Sequence, residues 1–429
     1  MPGTANRAVI VAGVRTPFVR AFTDFTRLDS IALAGAAVRG LLDRSGIAPG
    51  EIEALVWGGV ILPSHAPNIA REVALDLKLD YGCEGYTVTR ACASGLQAVT
   101  SAAAAIERGE YDIMIAGGSD STSNAEIKLP QKVVHAVAPV ALGKPSPRDY
   151  LDVVRRLAPF TDVLPRQPKI SERTTGEVMG ESAEKMARVN GISRADQDAF
   201  AARSHHRAAA AIASGRFDDE VVPVRTPDGT LIETDGLVRA MTSVEKLATL
   251  KPVFAEGGSV TAGNASPLTD GASAVLLMSE AKARALGFTP LAAIRSWSYV
   301  SVDPADQVLI GPAVSMPRAL DKAGLSLADV DLVDIHEAFA AQTLSVLRML
   351  DSPAWAKERL GRDDAVGSVD IDRLNVHGGS ISLGHPFGAT GARMVTTMAN
   401  ELARTGKQTA LLGICAAGGI GASAVLEAV

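Results

Sequence analysis

Four residues stand where covalent chemistry is possible. Cys92 lies in TVTRACASGLQAV, where an apolar strand pattern gives way to an Ala-rich helical one. A thiol there meets the free N–H groups and positive dipole end of a helix, which stabilise a thiolate. Ala91, Ala93, Ser94 and Gly95 are small enough to leave room for a substrate. This setting predicts a depressed thiol pKa; a buried structural cysteine is the plainer alternative. Cys415, in GICAAGGIG, ends an apolar run beside Ala417, Gly418 and Gly419, so little bulk surrounds its sulfur; catalytic and structural roles are equally open. Cys83 has no comparable setting and reads as structural. His385, in GGSISLGHPFGATGAR, is held between Gly384 and Pro386, with Gly388 and Gly391 allowing the backbone to approach a ligand. His336, in DIHEAFAAQ, follows an apolar strand pattern and opens a helix. A zinc motif HExxH would need a second histidine where Ala340 stands, and there is no CxxC pair, so metal catalysis has no support in the sequence.

The elements that must position these groups alternate. RAVIVAGVRTPF, ALVWGGVI, YTVTR and YDIMIAGGSD are nearly continuous apolar strand patterns, with helical patterns at 29–44 and 94–108. Such strands alternating with helices imply a sheet covered on both faces, an α/β fold. A repeat is also present: LDRSGIAPGEIEALVWG from Leu42 parallels LDKAGLSLADVDLVDIH from Leu320, and ERGEYDIMIAGG parallels ARTGKQTALLGIC. Counted back from the matched Gly109 and Gly406, Cys92 falls opposite GHPFGATG. Two like halves therefore bring cysteine and histidine to one crevice at equivalent strand-to-helix turns.

Between the halves, residues 125–250 change character. Pro130, Pro139, Pro145, Pro147, Pro159, Pro165 and Pro168 interrupt long elements, and Lys144, Arg148, Arg155, Arg156, Arg166, Lys169 and Arg173 make a basic patch. That patch is either a solvated surface or a site for an anion. Helical patterns return at ESAEKMARVNG and SRADQDAFAARSHHRAAAAIASG, the second opening with Ser193 and Asp196 spaced as a capping box; His205 and His206 read as its surface residues. The segment reads as an inserted lid or loop domain.

Composition narrows the class of protein. The 429 residues carry a net charge of −6, which argues against an electrostatic nucleic-acid footprint. With 47 % hydrophobic and 21 % charged residues the chain is globular, and three cysteines suit a reducing, cytoplasmic setting rather than a disulfide framework. MPGTANRAVIVAGVRTPF lacks the apolar region of a signal peptide. The uncharged run QTALLGICAAGGIGASAVL, about 19 residues, reaches the length of a membrane span. Its Gly-Gly pair makes two buried strands joined by a turn the better reading. There is no GxGxxG or P-loop, since Pro145 spoils Gly143-Lys144 as a phosphate cradle.

Together, ACASGLQA, TAGNASPLTDGA, HEAFA, GGSISLGHPFGATGAR and CAAGGIGAS resemble the thiolase family, in the family's order and from about Arg7 to the C-terminus. HEAFA in place of the commoner NEAFA is similar to the branch of the trifunctional-enzyme β-subunit and related bacterial 3-ketoacyl-CoA thiolases. The resemblance implies a five-layered α-β-α-β-α sandwich: an N-terminal half (1–124 and 251–287), a loop domain covering coenzyme A (125–250) and a C-terminal half (288–429). It implies Cys92 as the acylated nucleophile, His385 as the base and Cys415 as the acid/base serving the acetyl enolate. His336, with His385, would hold the thioester oxygen, and the N–H groups of Cys92 and Ala417 would form a second oxyanion hole. Met179, Ala262, Ser266, Ala338 and Phe339 match the pantetheine tunnel, and Arg239 a position near the adenine and phosphates. CoA enters as substrate, with no metal or redox cofactor. A homodimer or homotetramer, and a hydratase–dehydrogenase partner subunit, also follow from the resemblance. Two departures stand out: Ala417 replaces a glycine of the CxGGG turn, and His377 interrupts NxNGG as either a local contact or a specificity element.

The implied chemistry is coherent. Cleaving a carbon–carbon bond beta to a ketone needs a soft nucleophile, a base, an oxyanion hole and a proton source for the carbanion. Rival readings are an acetoacetyl-CoA-forming thiolase, a decarboxylating condensing enzyme, against which Cys415 argues, and a non-catalytic acyl-CoA carrier or assembly subunit.

Overall fold

The computed structural model describes residues 7–161, 163–165 and 171–429. Its strands in chain order are β1 (Ala8–Arg15), β2 (Val19–Arg20), β3 (Ala54–Gly58), β4 (Glu84–Val88), β5 (Ile113–Ser121), β6 (Val224–Arg225), β7 (Leu231–Ile232), β8 (Thr269–Ser279), β9 (Ala292–Ser301), β10 (Leu332–Ile335), β11 (Thr409–Ala416) and β12 (Ile420–Glu427). Ten of them form one sheet in the order β10-β11-β12-β9-β1-β8-β5-β3-β4, with β2 paired to β8. The predicted halves meet at β1 and β9 through only two residue pairs, Val9 with Ala293 and Ile10 with Ala292. From that seam outward the pairing is the same on both sides. Antiparallel β1-β8-β5 then parallel β5-β3 in one half corresponds to antiparallel β9-β12-β11 then parallel β11-β10 in the other.

Strand alternation divides the apolar side chains among three cores. Leu55 and Trp57 of β3 pack with the helices Ser30–Ser45 and Ile69–Asp76. Val56 turns the other way, into a core shared by the helices Ser94–Glu107 and Ala389–Thr405 and by strands of both halves. Leu411 and Val425 face a third core with the helices Gly311–Ala323 and Ala340–Leu350. The result is the predicted sequence of layers, helix, sheet, helix, sheet, helix.

The repeat has a conformational basis. Gly46 and Gly324 both end a helix in the left-handed region (φ 70° and 67°), each followed by a short 3-10 turn, Pro49–Glu51 or Leu327–Asp329, and then β3 or β10. The run that matched a membrane span in length is the β11–β12 hairpin, turned at Gly418 and Gly419 with φ of 84° and 68°. Among the described residues no helix is long and apolar enough to cross a membrane.

Contacts separate a main body, 7–124 and 171–429, from a smaller unit within 125–170. In the smaller unit the helices Gln131–Leu142 and Pro147–Leu157 pack as a hairpin, the second opened by the Asp149 carboxylate accepting the Ser146 N–H at 2.7 Å. Arg155 pairs with Asp152 at 3.3 Å, and Arg156 donates to the His135 carbonyl at 3.5 Å. Arg166 and Lys169 of the basic patch, and Pro168, lie outside the described residues. The helices Met179–Val189 and Arg194–Ala213 belong to the main body, and the Ser193–Asp196 capping box forms as its spacing predicts. His205 is a correction to the sequence expectation. It faces inward, its Nδ1 accepting the Arg239 N–H at 3.1 Å, and burial lowers its pKa to about 4; His206 is the exposed one.

Candidate active site

Cys92 sits between β4 and the helix Ser94–Glu107. The turn is latched by the Ser94 hydroxyl, which accepts the Arg90 N–H at 2.7 Å and donates to the Ala91 carbonyl at 2.6 Å, with Ala91 at φ 46°. His385 comes from the turn between the short helix Ser380–Leu383 and Ala389–Thr405, a correction to the strand-to-helix turn that the repeat predicted, and absent side chains let it meet the Cys92 turn. A Cβ on Gly95 would stand 2.3 Å from the Gly388 carbonyl oxygen, one on Gly118 2.0 Å from the same atom, and one on Gly391 2.3 Å from the Leu96 nitrogen. The buried Asp120 ties the turn down, accepting N–H groups from Gly388 (2.7 Å), Ile61 (2.6 Å) and Val60 (3.0 Å). His385 donates its own N–H to Thr269 Oγ1 at 3.0 Å.

His336 arrives from the end of β10, its N–H bonded to the Gly413 carbonyl at 2.8 Å. The loop beneath it is fixed by Asn375, whose Oδ1 accepts the Ile335 N–H (2.8 Å) and whose Nδ2 donates to Glu337 (2.7 Å). Glu337 also accepts the Ser204 hydroxyl at 2.7 Å and the Ile381 N–H at 3.2 Å.

These elements converge on one point. Cys92 Sγ and a ring nitrogen of each of His336 and His385 all lie within 4.8 Å of one another, and the two rings are 4.1 Å apart at a 44° tilt. His336 Nδ1 is engaged by Ser380 Oγ (2.8 Å) and His385 Nδ1 by Thr390 Oγ1 (2.6 Å). The Nε2 atoms of both are buried without a hydrogen-bond partner. Among the described residues this is the one Cys/His/Asp/Glu cluster of metal-ligand proximity, a donor set of the type zinc takes. It is equally a nucleophile with two imidazoles in reach.

Burial governs the protonation states. It lowers His385 to about 3, assisted by the charge of Arg393; His336 is pushed well below the ordinary histidine value by burial, then by His385 and Arg393. Both rings are neutral near pH 7. Burial also raises the Cys92 thiol to about 12, against the backbone N–H groups of Ala417 and of Cys92 itself, which favour the thiolate. The depressed pKa expected from the helix N-terminus is thus corrected: removal from water outweighs those donors. Cys415, at the end of β11, is raised well above the usual thiol range by burial and then by Cys92. Cys83, as expected, is a buried thiol beside the Glu84 carbonyl.

The remaining sequence candidates differ in their surroundings. Ser266 donates its N–H to the Ala338 carbonyl at 3.0 Å, Ala265 pairs with Phe339, and Leu268 pairs with His385. Met179 packs into the core that contains Cys415, Ala338 and Phe339. Ala262 and Arg239 are exposed. His377 makes a local contact, its Nε2 2.7 Å from Glu401 and its ring edge-on to Phe217. Sequence reasoning passed over Asp120, Glu337, Ser380, Thr390 and Arg393. Three of these lie inside the quoted GGSISLGHPFGATGAR, where they read as spacers between glycines.

The chain matches the thiolase N-terminal domain over residues 8–281 and the thiolase C-terminal domain over 288–428. It is 44% identical over 424 residues to a 3-ketoacyl-CoA thiolase of Shewanella halifaxensis (strain HAW-EB4), covering 98% of this chain and 97% of that one; one from Shewanella amazonensis (strain ATCC BAA-1098 / SB2B) matches equally. Among solved structures, the Bacillus anthracis acetyl-CoA acetyltransferase superposes with a TM-score of 0.83 at 34% identity, and human mitochondrial 3-ketoacyl-CoA thiolase with 0.83 at 31%; each covers 99% of both chains. Two matched domains spanning nearly the whole chain, on the fold and around the cysteine–histidine cluster described, show that this chain belongs to the thiolase family.

Proposed function

We propose that this chain is an acetyl-CoA C-acyltransferase that cleaves 3-ketoacyl-CoA with CoA, giving acetyl-CoA and a shortened acyl-CoA, as in fatty-acid β-oxidation. The observation that carries this reading is the Cys92 thiol clustered with a ring nitrogen of each of His336 and His385, two histidines whose Nε2 atoms are buried and unpartnered. The resting pair is a neutral thiol and a neutral imidazole, so the Cys92 proton passes to His385 as sulfur attacks the 3-keto carbon. The bond between C2 and C3 breaks, leaving acyl-Cys92 and an acetyl-CoA enolate whose oxygen is held by His336 with His385. Cys415 protonates the enolate carbon, and the proton on His385 restores Cys415. CoA then enters; His385 takes its thiol proton, and the CoA sulfur attacks the thioester, whose oxyanion faces the N–H groups of Cys92 and Ala417. Cys92 departs as thiolate and recovers a proton from His385. CoA is a substrate here, and every catalytic group belongs to the chain.

Met179, Ala262, Ser266, Ala338 and Phe339 are proposed to line the pantetheine path, with Arg239 toward the adenine and phosphates. Membership of the HEAF branch, the division into halves at 1–124 with 251–287 and 288–429, and a loop domain over CoA at 125–250 belong to the same reading. So do a cytoplasmic homodimer or homotetramer and a hydratase–dehydrogenase partner. The test is turnover with CoA of acetoacetyl-CoA and of a long-chain 3-ketoacyl-CoA. Cleavage of the long substrate supports the β-oxidation reading, cleavage of acetoacetyl-CoA alone favours the acetoacetyl-CoA-forming alternative, and cleavage of neither overturns both.

A further inference from the structure

An imidazole can present its Nε2 either as an N–H donor or as a lone pair, and the two histidines facing Cys92 need opposite choices. A base must offer a lone pair; a group that holds an oxyanion must offer a proton. Two neutral rings with both Nε2 lone pairs turned inward would also oppose each other across the site. The hydrogen bonds behind His336 decide its tautomer. Arg393, fully buried, places Nη1 3.2 Å from Asp334 Oδ2 and Nη2 3.4 Å from Ser380 Oγ. A guanidinium only donates, so Ser380 Oγ accepts from it and its own proton is free to go elsewhere. Among the described residues the remaining polar neighbour of that hydroxyl is His336 Nδ1, at 2.8 Å. Ser380 donating to Nδ1 leaves the proton of the neutral ring on Nε2.

We propose that Ser380, oriented by Arg393 and Asp334, is a positioning residue that holds His336 in its Nε2–H tautomer, so that His336 donates into the site while His385 keeps its lone pair for proton transfer. Thr390 completes the division by accepting the Nδ1–H of His385. Asp334 anchors the arginine, and Glu337, itself bonded by Asn375, accepts the Ile381 N–H in the short helix that Ser380 opens. This inference rests on the thiolysis reading for its consequence in rate, but the tautomer itself is measurable without turnover.

The experiment is a long-range 1H–15N spectrum of the full chain labelled with 15N-histidine, with His336 assigned by its loss in His336→Asn. The wild type and Ser380→Thr show a protonated Nε2 and an unprotonated Nδ1 at His336, and Ser380→Ala shows the tautomers mixed or inverted. In parallel, Ser380→Ala lowers kcat for thiolysis about 10- to 100-fold, less than the roughly 10²–10³-fold cost of removing an oxyanion donor outright. KM changes little, and Ser380→Thr restores most of kcat. A protonated Nδ1 at His336 in the wild type, or full kcat in Ser380→Ala, overturns the proposal. A wild type that shows the Nε2–H form but no thiolysis overturns the functional reading and leaves the tautomer assignment standing.

Discussion

Cys92, Cys415 and Cys83 are chemically alike and are separated by access. Cys92 is half-buried, whereas Cys415 and Cys83 are only 1% and 2% exposed, so iodoacetamide reaches Cys92 first. Its rate follows from the raised thiol pKa. With the thiol pushed up to about 12, the thiolate fraction in the free enzyme climbs about tenfold per pH unit through neutrality. Alkylation of Cys92, followed by peptide mapping, therefore rises steadily from pH 6.5 to 9.5; a plateau below pH 8 would mean that the helix N-terminus outweighs burial. The two reactive thiols separate by reaction. Under the proposed mechanism thiolysis makes an enolate that takes the Cys415 proton, whereas exchange of acetyl groups between acetyl-CoA and labelled CoA makes none. Cys415→Ala should lose thiolysis by about 10²–10⁴-fold while keeping much of the exchange, and equal loss of both in a folded variant would contradict its role. At this scale the sequence shows the reactive residues because glycines and prolines mark their turns. It hides Ser380 and Arg393, because their role depends on which atoms face His336 across 44 and 57 positions of chain.

At the scale of elements, the site depends on two turns pressed backbone to backbone. Gly95 is in the first turn of its helix, and an added Cβ would meet the Gly388 oxygen at 2.3 Å and the Ala392 nitrogen at 3.0 Å, neither a flexible side-chain end. Gly95→Ala should destabilise the fold by about 1–3 kcal/mol through overpacking, and should depress kcat more than KM because Cys92 and His385 move apart. Gly35, within Ser30–Ser45, is the control: nothing lies within 4 Å of its added Cβ. Gly35→Ala should stabilise by about 0.5–1 kcal/mol with unchanged activity, since alanine is the better helix former. Thermal melts and steady-state rates of the two variants check both statements; a Gly95→Ala enzyme as stable and active as wild type would refute the close-contact account. The helices are readable from apolar spacing and from Ser193 as a cap, while the Asp29 cap of Ser30–Ser45 emerges only in the structure. The need for glycine at 95, 118 and 391 is not, because each answers to a backbone atom from a distant part of the chain.

Across the whole molecule, the internal repeat made the architecture readable. Left-handed glycines at 46 and 324, and at 109 and 406, mark the same helix ends in both halves, and the matched strands take matched places on either side of the β1–β9 seam. Residues 125–250 have no counterpart in that repeat; their contacts form the unit within 125–170, while the helices from Met179 onward join the main body, a partition that proline and charge spacing do not encode. The two halves bring Cys92 from one and His336 and His385 from the other to a single point. The central claim is that acyl groups pass through the Cys92 sulfur. Its most direct test is to mix the enzyme with acetyl-CoA labelled in the acetyl group, quench with acid, and map the peptides by mass spectrometry. The expected result is one acetyl group on the peptide containing Cys92, released by free CoA and absent from Cys92→Ala; label on the Cys415 or Cys83 peptide instead, or thiolysis persisting in Cys92→Ala, would contradict the account.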